Sequence, residues 1–386
     1  MYKRSQVFAA ACMGLFVFGM TLITLGSILP ALTVKFETKG LNPGLLVSVL
    51  PLGILAGALV FGPVADRYGY KSLLIASIFI SALALEGLAF TGSPTLLYVC
   101  IFFIGMGGGI INGGGSALVA DISPHNKGAS LSQLGVFFGI GALGMPLLLG
   151  VLSKHFQYPV ILSSVGFFML LPVVYCFFIV FPPPKQSAAV PFKEGIKLLK
   201  EPALLLASFF LFFQSGVEAL VNNWTTTFLQ YKVNASEQEA LLALSFCLAG
   251  LTAGRLLLGW LLKRISSYVV MIISLSVVLA ACFVLYAAHS YPVSFVALVI
   301  AGAGLAAGFP VLLGYLGQLY PRLSGTAFSI AFVIALLGNT LINYLFGIIN
   351  SNPGPGSLPL LLAAAVTCMF VLLVLLRKKI GTRIKW

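Results

Sequence analysis

Long apolar segments separated by short polar turns run along the whole chain. Each holds about the 20 residues that a helix needs to cross the hydrocarbon core of a bilayer. The segments lie at 6–34, 43–65, 71–91, 95–120, 128–152, 158–181, 202–230, 239–262, 267–288, 292–318, 325–349 and 357–378. A transmembrane barrel would show shorter segments in which apolar and polar residues alternate. The pattern predicts an all-α polytopic membrane protein with twelve transmembrane helices.

The composition excludes a water-soluble globule, because 60% of the 386 residues are hydrophobic and only 8% are charged. A soluble domain carries about 25% charged residues. The six cysteines are scattered through apolar segments without a CxxC pair, so they predict neither a disulfide framework nor a metal site. We expect no cofactor. No embedded metal set, nucleophile–base pair or phosphate loop is recognisable, and we therefore do not expect an enzyme.

The net charge of +13 orients the chain in the membrane. With both termini on one side, 17 of the 22 Lys and Arg residues fall on that side. The positive-inside rule then places the termini and the loop 182–201 in the cytoplasm. We accordingly expect no nucleic-acid partner, only the lipid bilayer and a small solute. The very short loops favour a bacterial inner membrane, and we expect a monomer.

A repeat divides the chain into two halves of six spans, 1–181 and 202–386, joined by a linker at 182–201. Gly62 aligns with Gly259 at an offset of 259 − 62 = 197 residues. At this offset nine of the 25 glycines before residue 190 meet another glycine, where random placement would give roughly two. Small residues let membrane helices approach closely, so both halves share one packing plan. The repeat predicts two six-helix bundles, which is a transporter layout.

The loop between spans two and three carries a motif, GPVADRYGYK at 62–71. It fits the G-x-x-x-D-R-x-G-x-[RK] loop of the major facilitator superfamily, which the chain resembles over essentially its whole length. The defining positions are Gly62, Asp66, Arg67, Gly69 and Lys71.

The resemblance implies a gate on the cytoplasmic side. Asp66 would face the start of span eleven, near Ser324 and Gly325, where a carboxylate suits a helix N-terminus. The alternative is that Asp66 and Arg67 form only a solvated loop pair. The second copy of the motif has Lys263 where Asp66 stands, so an equivalent latch is not expected there.

Glu218 lies 16 residues into span seven, roughly 24 Å along the helix. That depth is near the middle of the membrane. Gln214, Glu218 and Asn222 follow an i, i+4, i+8 spacing, so they form one polar stripe. The stripe is either an interhelical hydrogen-bond clamp or a substrate and proton site that lines a cavity.

Other polar groups within the spans are candidates for the same site, and each has a structural alternative. Asn112 sits in a glycine run that also suits plain helix packing, and Arg255 suits a structural salt bridge as well as proton coupling. Asn339 and Asn343 are i, i+4 neighbours that could form a structural amide ladder. The substrate-binding candidates are Asn112, Gln214, Glu218, Asn222, Asn223, Trp224, Asn339 and Asn343.

These groups favour a neutral polyhydroxylated solute, because amides and a carboxylate pair with hydroxyl groups and an indole covers an apolar sugar face. Gly216, Glu218 and Trp224, with GRLLLG at 254–259, resemble the fucose permease and sodium-dependent glucose transporter branch. That branch implies sugar import by proton or sodium symport. Its carboxylates on spans one and four are missing here, where Thr21, Thr24 and Asn112 stand. Any coupling must therefore rest on Glu218, or be absent.

The alternative function is a proton-coupled efflux antiporter for drugs or metabolites. The stretch GIGALGMP at 139–146 is weakly similar to the glycine–proline motif of superfamily antiporters. Met145 separates Gly144 from Pro146, so the adjacent Gly-Pro pair is missing. A wide pocket for lipophilic compounds would favour clustered methionines, and the eight methionines here are not clustered.

Overall fold

The computed structural model describes residues 2–36, 43–124, 126–153, 155–184, 197–350 and 355–380. The first half of the sequence contains helices α1 (Arg4–Phe36), α2 (Pro43–Tyr68), α3 (Tyr70–Phe90), α4 (Pro94–Ile122), α5 (Lys127–Leu152), α6 (Tyr158–Phe168) and α7 (Leu170–Phe178). The second half contains α8 (Pro202–Val233), α9 (Glu237–Leu261), α10 (Ser267–Ala287), α11 (Tyr291–Leu305), α12 (Gly308–Leu319), α13 (Ser324–Asn350), a 3₁₀ turn (Pro355–Ser357) and α14 (Leu358–Ile380).

The twelve transmembrane helices predicted from the sequence are confirmed. Within the described ranges, twelve helical segments are long and apolar enough to span a membrane, with α6–α7 and α11–α12 each counted as one. Large apolar side chains such as Leu147, Phe167 and Phe178 are exposed on the surface of the protein. Lipid tails cover such a surface at no cost, whereas water would not.

Two of the predicted spans are broken, which the sequence analysis missed. Span six divides at Met169, and span ten divides between Leu305 and Gly308. A proline follows each break, Pro172 in α7 and Pro310 in α12. Proline lacks the N–H that would bond the carbonyl four residues earlier, and its ring clashes with that carbonyl. Both breaks therefore lie where the helical ladder loses a hydrogen bond.

The repeat found in the glycines is a repeat of helix contacts. A Cβ on Gly53 of α2 would overlap the carbonyl oxygen of Phe102 on α4, and one on Gly250 of α9 would overlap that of Val299 on α11. Both partners are separated by the same offset, since 250 − 53 and 299 − 102 are each 197. Three more contacts recur at this offset, namely Gly57–Met106 with Gly254–Ala303, Gly105–Leu50 with Gly302–Cys247, and Gly107–Ser77 with Gly304–Ser274. Backbones thus meet closely at matching places in both halves.

The helices cluster into two compact units. The first contains Met1–Ile122, Phe137–Phe192 and Arg322–Ser329, with α4 packed against α1, α2 and α3. The second contains Ser123–Val136, Lys193–Pro321 and Ile330–Trp386, with α11 packed against α9 and α10. The start of α5 thus groups with helices of the second half, and the start of α13 with helices of the first.

The bundles predicted at 1–181 and 202–386 remain a prediction. Residues 185–196 of the predicted linker 182–201 lie outside the described residues.

Candidate functional site

The polar stripe on α8 begins with a direct contact between two of its members. Nε2 of Gln214 donates a hydrogen bond to Oε1 of Glu218 at 2.7 Å. Gln214 is 1% exposed, and Glu218 is partly exposed. Glu218 lies 16 residues after Pro202 and 15 before Val233, the two ends of α8. The carboxylate is therefore at mid-helix and keeps one oxygen bound to a neutral donor.

The break in span ten provides the second partner of Gln214. Nε2 of Gln214 also donates to the carbonyl oxygen of Leu305, at 2.9 Å. Leu305 is the last residue of α11, and the last carbonyls of a helix have no partner within it. Gly308 opens α12 at this point, where a Cβ would overlap the amide of Gln214. Gln214 thus connects the polar stripe on α8 to the break between α11 and α12.

Arg255 on α9 supplies a positive charge that interacts electrostatically with Glu218. Its Nη1 donates to the carbonyl oxygen of Gly135 on α5 at 3.2 Å. Its Nε is buried and has no hydrogen-bond partner within the described part of the chain. Arg255 is therefore held toward α5 while its charge acts on α8.

Asn343 on α13 joins the second group of candidates. Its Oδ1 accepts from Nδ2 of Asn223 at 3.1 Å and from Nε1 of Trp224 at 3.2 Å. Its own Nδ2 donates to the carbonyl oxygen of Asn339 at 2.9 Å. The indole of Trp224 meets the ring of Phe346 edge-on, with centroids 4.9 Å apart. One amide thus orients both α8 side chains, while its bond to Asn339 goes to the main chain and not to the other amide.

Two further candidates are not brought into these contacts. Asn222 is exposed on α8, one turn beyond Glu218. Asn112 lies on α4, in the other compact unit. The glycines around Asn112 serve packing, since a Cβ on Gly109 would overlap the carbonyl oxygen of Ile54. That a substrate contacts any of the eight candidates remains a prediction.

The carboxylate of Asp66 lies at the start of α13, where the motif led us to expect its partner. Oδ1 accepts from the backbone N–H of Gly325 at 3.3 Å. Oδ2 accepts from the N–H and from Oγ1 of Thr326, both at 2.9 Å. Asp66 is fully buried, and a Cβ on Gly62 would overlap the carbonyl oxygen of Gly325. The solvated loop pair is therefore wrong for Asp66.

The other motif residues shape the turn. Gly69 has φ +81°, a conformation that side chains rarely adopt, and it separates α2 from α3. Nζ of Lys71 donates to the carbonyl oxygens of Phe177 and Ile179 at the end of α7, at 3.0 and 3.1 Å. Arg67 is exposed and its guanidinium lies over the ring of Tyr68. These residues hold the loop that presents Asp66.

The sequence analysis missed a second carboxylate beside this contact. Asp121, at the end of α4, accepts from the hydroxyl of Tyr70 at 2.5 Å and from Oγ of Ser324 at 2.8 Å. A signal was present in the motif itself, because Tyr70 lies within GPVADRYGYK. Ser324 was expected near Asp66, but its hydroxyl bonds Asp121.

A family model described as Major Facilitator Superfamily matches residues 11–231 and, a second time, 204–384. The chain belongs to the Major Facilitator Superfamily. The two overlapping matches together span both halves of the repeat. The resemblance stated from the motif is confirmed, and the chain is a member of a family of transporters and not of enzymes.

Relatives within the superfamily match most of the chain. An uncharacterized MFS-type transporter of Bacillus subtilis, YfkL, is 22% identical over 353 residues, 88% of this chain and 87% of the relative. The glucose/mannose transporter GlcP of B. subtilis is 25% identical over 348 residues, 86% of this chain and 85% of the relative. A shorter match, 25% identical over 169 residues, is to a multi-drug resistance efflux pump of Streptococcus pneumoniae, PmrA, and covers 43% of this chain and 42% of the pump.

Among solved structures, a variant of the E. coli fucose:proton symporter superposes with a TM-score of 0.81. The alignment covers 96% of this chain and 98% of that one at 18% identity. This likeness supports the superfamily fold.

Proposed function

We propose that the protein imports a small neutral polyhydroxylated solute, a sugar, by symport with protons or sodium. The observation that carries the proposal is Glu218 at the middle of α8, bonded to Gln214 and acted on by the charge of Arg255. An ionisable residue within a membrane helix is expensive and commonly marks a substrate or ion pathway.

The chemistry around α8 suits a sugar. Asn222 and Asn223 are exposed side chains on a membrane helix, so they must face water because an amide in lipid is costly. Asn223 and Trp224 share the Oδ1 of Asn343, which fixes both side chains before a ligand arrives. Amides offer paired donors and acceptors to hydroxyls, and the indole offers an apolar face. The charges of Arg255 and Glu218 act on each other, so neither requires a charged substrate.

Two of the similar proteins support the same substrate class. GlcP is a glucose/mannose transporter that matches over 86% of this chain. The symporter with the same fold takes fucose and protons. The breaks in α6–α7 and α11–α12 also favour solute binding, because transporter sites are commonly built at discontinuous helices.

Coupling is assigned to Glu218 because the first span offers no alternative. Thr21 and Thr24 donate to carbonyls of their own helix, those of Phe18 and Met20. In the proposed cycle, Glu218 takes up a proton from outside and the loaded carrier reorients. Arg255 then competes for the carboxylate and helps release the proton. With sodium as the coupling ion, the carboxylate would act as an oxygen ligand instead.

The proposed orientation puts both termini in the cytoplasm of a bacterial cell, with the chain as a monomer in the inner membrane. The contact of Asp66 with Gly325 and Thr326 then closes the cytoplasmic side. Gly62, Arg67, Gly69 and Lys71 support the same gate.

A thermal-shift screen of purified protein against monosaccharides and disaccharides tests the substrate class. A ligand that binds the folded state raises Tm. At 100 times its Kd the ligand adds about 2.7 kcal/mol to the free energy of unfolding. We expect one D-sugar to raise Tm, and its mirror-image L-sugar, with the same polarity, to leave Tm unchanged. Equal shifts with both enantiomers, or none with any sugar, would contradict the proposal.

The alternative, a proton-coupled efflux antiporter, has the partial match to PmrA as its support. Its arm of the screen uses lipophilic cations in place of sugars. Shifts with these compounds and none with sugars would favour efflux, and expression would then raise resistance to the same compounds.

A further inference from the structure

Two serine hydroxyls bond to a helix from the other half of the sequence. Oγ of Ser132 on α5 donates to the carbonyl oxygen of Arg255 on α9 at 2.5 Å. Oγ of Ser329 on α13 donates to the carbonyl oxygen of Ala58 on α2. Both serines are buried, at 0% and 5% exposure.

A hydroxyl within a helix usually bonds the carbonyl four residues earlier on the same helix. That is the arrangement at Ser164, Ser245, Thr252, Thr340 and Thr367. Ser132 and Ser329 depart from it, and their partners lie 123 and 271 residues away.

The two hydrogen bonds occupy equivalent positions in the two halves of the repeat. The donors are related by the repeat, since 329 − 132 = 197, and so are the acceptors, since 255 − 58 = 197. The acceptor is the main-chain oxygen in both, so the bond does not depend on whether Ala58 or Arg255 supplies it.

A second link accompanies each serine. Beside Ser329, Oγ of Ser324 donates to Oδ1 of Asp121 at 2.8 Å. Beside Ser132, Nζ of Lys127 donates to the carbonyl oxygen of Gly317 at 2.8 Å. The donors again obey the offset, since 324 − 127 = 197, and both acceptors lie near the end of the fourth span of their half. We call these groups the first cluster (Ala58, Asp121, Ser324, Ser329) and the second cluster (Arg255, Gly317, Lys127, Ser132).

The surroundings of the two clusters also differ. Asp66 reinforces the first, whereas Lys263 occupies the equivalent position beside the second and is exposed. Helix α9 also ends at Leu261, four residues before 265, the equivalent of Tyr68 at the end of α2. A polar cavity of about 160 Å³ lies there, lined by residues that include Lys127, Ser267 and Gln318. Both clusters therefore share the hydrogen bond of a serine to a main-chain oxygen. The carboxylate of Asp66 strengthens the first cluster alone.

We propose that Ser132 and Ser329 are the positioning residues of a paired gate in the transport cycle. Their hydroxyls hold α5 to α9 and α13 to α2 while the gate is closed. On opening, each hydroxyl turns back to the carbonyl four residues earlier on its own helix, that of Gly128 or Gly325. Opening then strands no buried donor, but the back-bond slightly destabilises its own helix, so the interhelical bond still favours the closed state. This inference rests on the transport activity of the superfamily and not on the sugar proposal.

Distances between spin labels, measured by double electron–electron resonance without substrate, test the gate. In a cysteine-free background, one label pair, Tyr68→Cys with Arg322→Cys, spans the first cluster at exposed positions. A second pair, Asn126→Cys with Arg264→Cys, spans the second cluster, also at exposed positions.

Each of Ser132→Ala and Ser329→Ala should raise the ratio of open to closed populations by up to about fivefold, the equivalent of one hydrogen bond. We expect either variant to shift both label pairs, because one reorientation of the halves parts both clusters. Tm and elution volume should stay close to the parent values, since alanine fills less space than serine.

Ser245→Ala is the matched control, because among the described residues its hydroxyl bonds the carbonyl oxygen of Leu241 on the same helix. It should leave both distance distributions unchanged. Unchanged distributions in the two test variants, or shifts equal to those of the control, would overturn the proposal. A shift confined to the pair beside the mutated serine would show local loosening and would also overturn a paired gate.

Discussion

Gln214 holds Glu218 by a 2.7 Å hydrogen bond along one face of α8. The same amide nitrogen reaches the carbonyl oxygen of Leu305, at the break between α11 and α12. The partly exposed carboxylate is thereby connected to the last residue of α11, where the helix is interrupted. An ionisable side chain and an interrupted helix therefore lie close together, as in transporter sites built at discontinuous helices.

Asp66→Asn should open the gate proposed at the start of α13. The carboxylate accepts three hydrogen bonds from Gly325 and Thr326, and bonds to a charged group contribute about 1.5–3 kcal/mol each. An amide in its place turns one acceptor into a donor that faces N–H groups. We expect the closed population to fall at least about tenfold, measured by spin labels at Tyr68 and Arg322.

Arg67→Gln is the control for that variant, because Arg67 is exposed in the same loop. It should keep the closed population of the parent protein. Equal distance distributions for the Asp66 variant and this control would refute the gating role of Asp66.

Asn343→Ala should weaken sugar binding. It removes the oxygen that accepts from Asn223 and Trp224, so both donors lose their orientation. A hydrogen bond contributes about 0.5–1.5 kcal/mol, and with two such bonds lost we expect Kd to rise about tenfold. Titration followed by tryptophan fluorescence measures Kd. Thr340→Ala, on the same helix with its hydroxyl bonded to Leu336, should leave Kd unchanged; a shared Kd for all three proteins would exclude Asn343 from the site.

Gly53→Ala and Gly250→Ala should destabilise the two halves alike. An added Cβ would overlap the carbonyl oxygen of Phe102 or Val299, and overpacking costs about 1–3 kcal/mol. Tm should fall for both variants in a thermal-unfolding experiment. Gly144→Ala is the control, because nothing lies within 4 Å of its added Cβ. A fall in Tm for Gly144→Ala as large as for the other two would argue against close helix contact as the reason for the repeat.

Glu86→Gln should leave Tm unchanged or raise it. Oε1 of Glu86 is buried against Gly166 and has no hydrogen-bond partner in the described ranges. A buried polar atom without a hydrogen-bond partner contributes no bond that the change could remove, so the change is not expected to harm folding. Glu201→Gln, at an exposed position, gives the reference for a simple loss of charge. A clear drop in Tm for Glu86→Gln alone would reveal a partner that stabilises the carboxylate.

The sequence predicted those features that depend on spacing along one helix or on the repeat. Apolar run lengths predicted the twelve spans, and the i, i+4 spacing of Gln214 and Glu218 predicted their shared face. The offset of 197 predicted matching glycine positions, because close backbone contact admits little else. The motif predicted the partner of Asp66 through its resemblance to a known loop.

Contacts between helices far apart in sequence were not predictable in the same way. Asn343 accepts from residues about 120 positions away, and Asp121 bonds Ser324 from 203 positions away. Such partners depend on how helices rotate and cross, which apolar patterns constrain only loosely. The break before Gly308 was missed for another reason, since a proline within a membrane helix can be tolerated without a break.

Uptake into proteoliposomes with an imposed inward proton gradient tests the central claim most directly. Glu218→Gln keeps the shape of the side chain and an oxygen for Gln214, but it cannot lose or gain the proton. We predict that this variant still exchanges labelled sugar across the membrane and no longer accumulates it against a gradient, while Glu201→Gln accumulates it like the parent protein. Accumulation by Glu218→Gln equal to that of the parent would contradict the account.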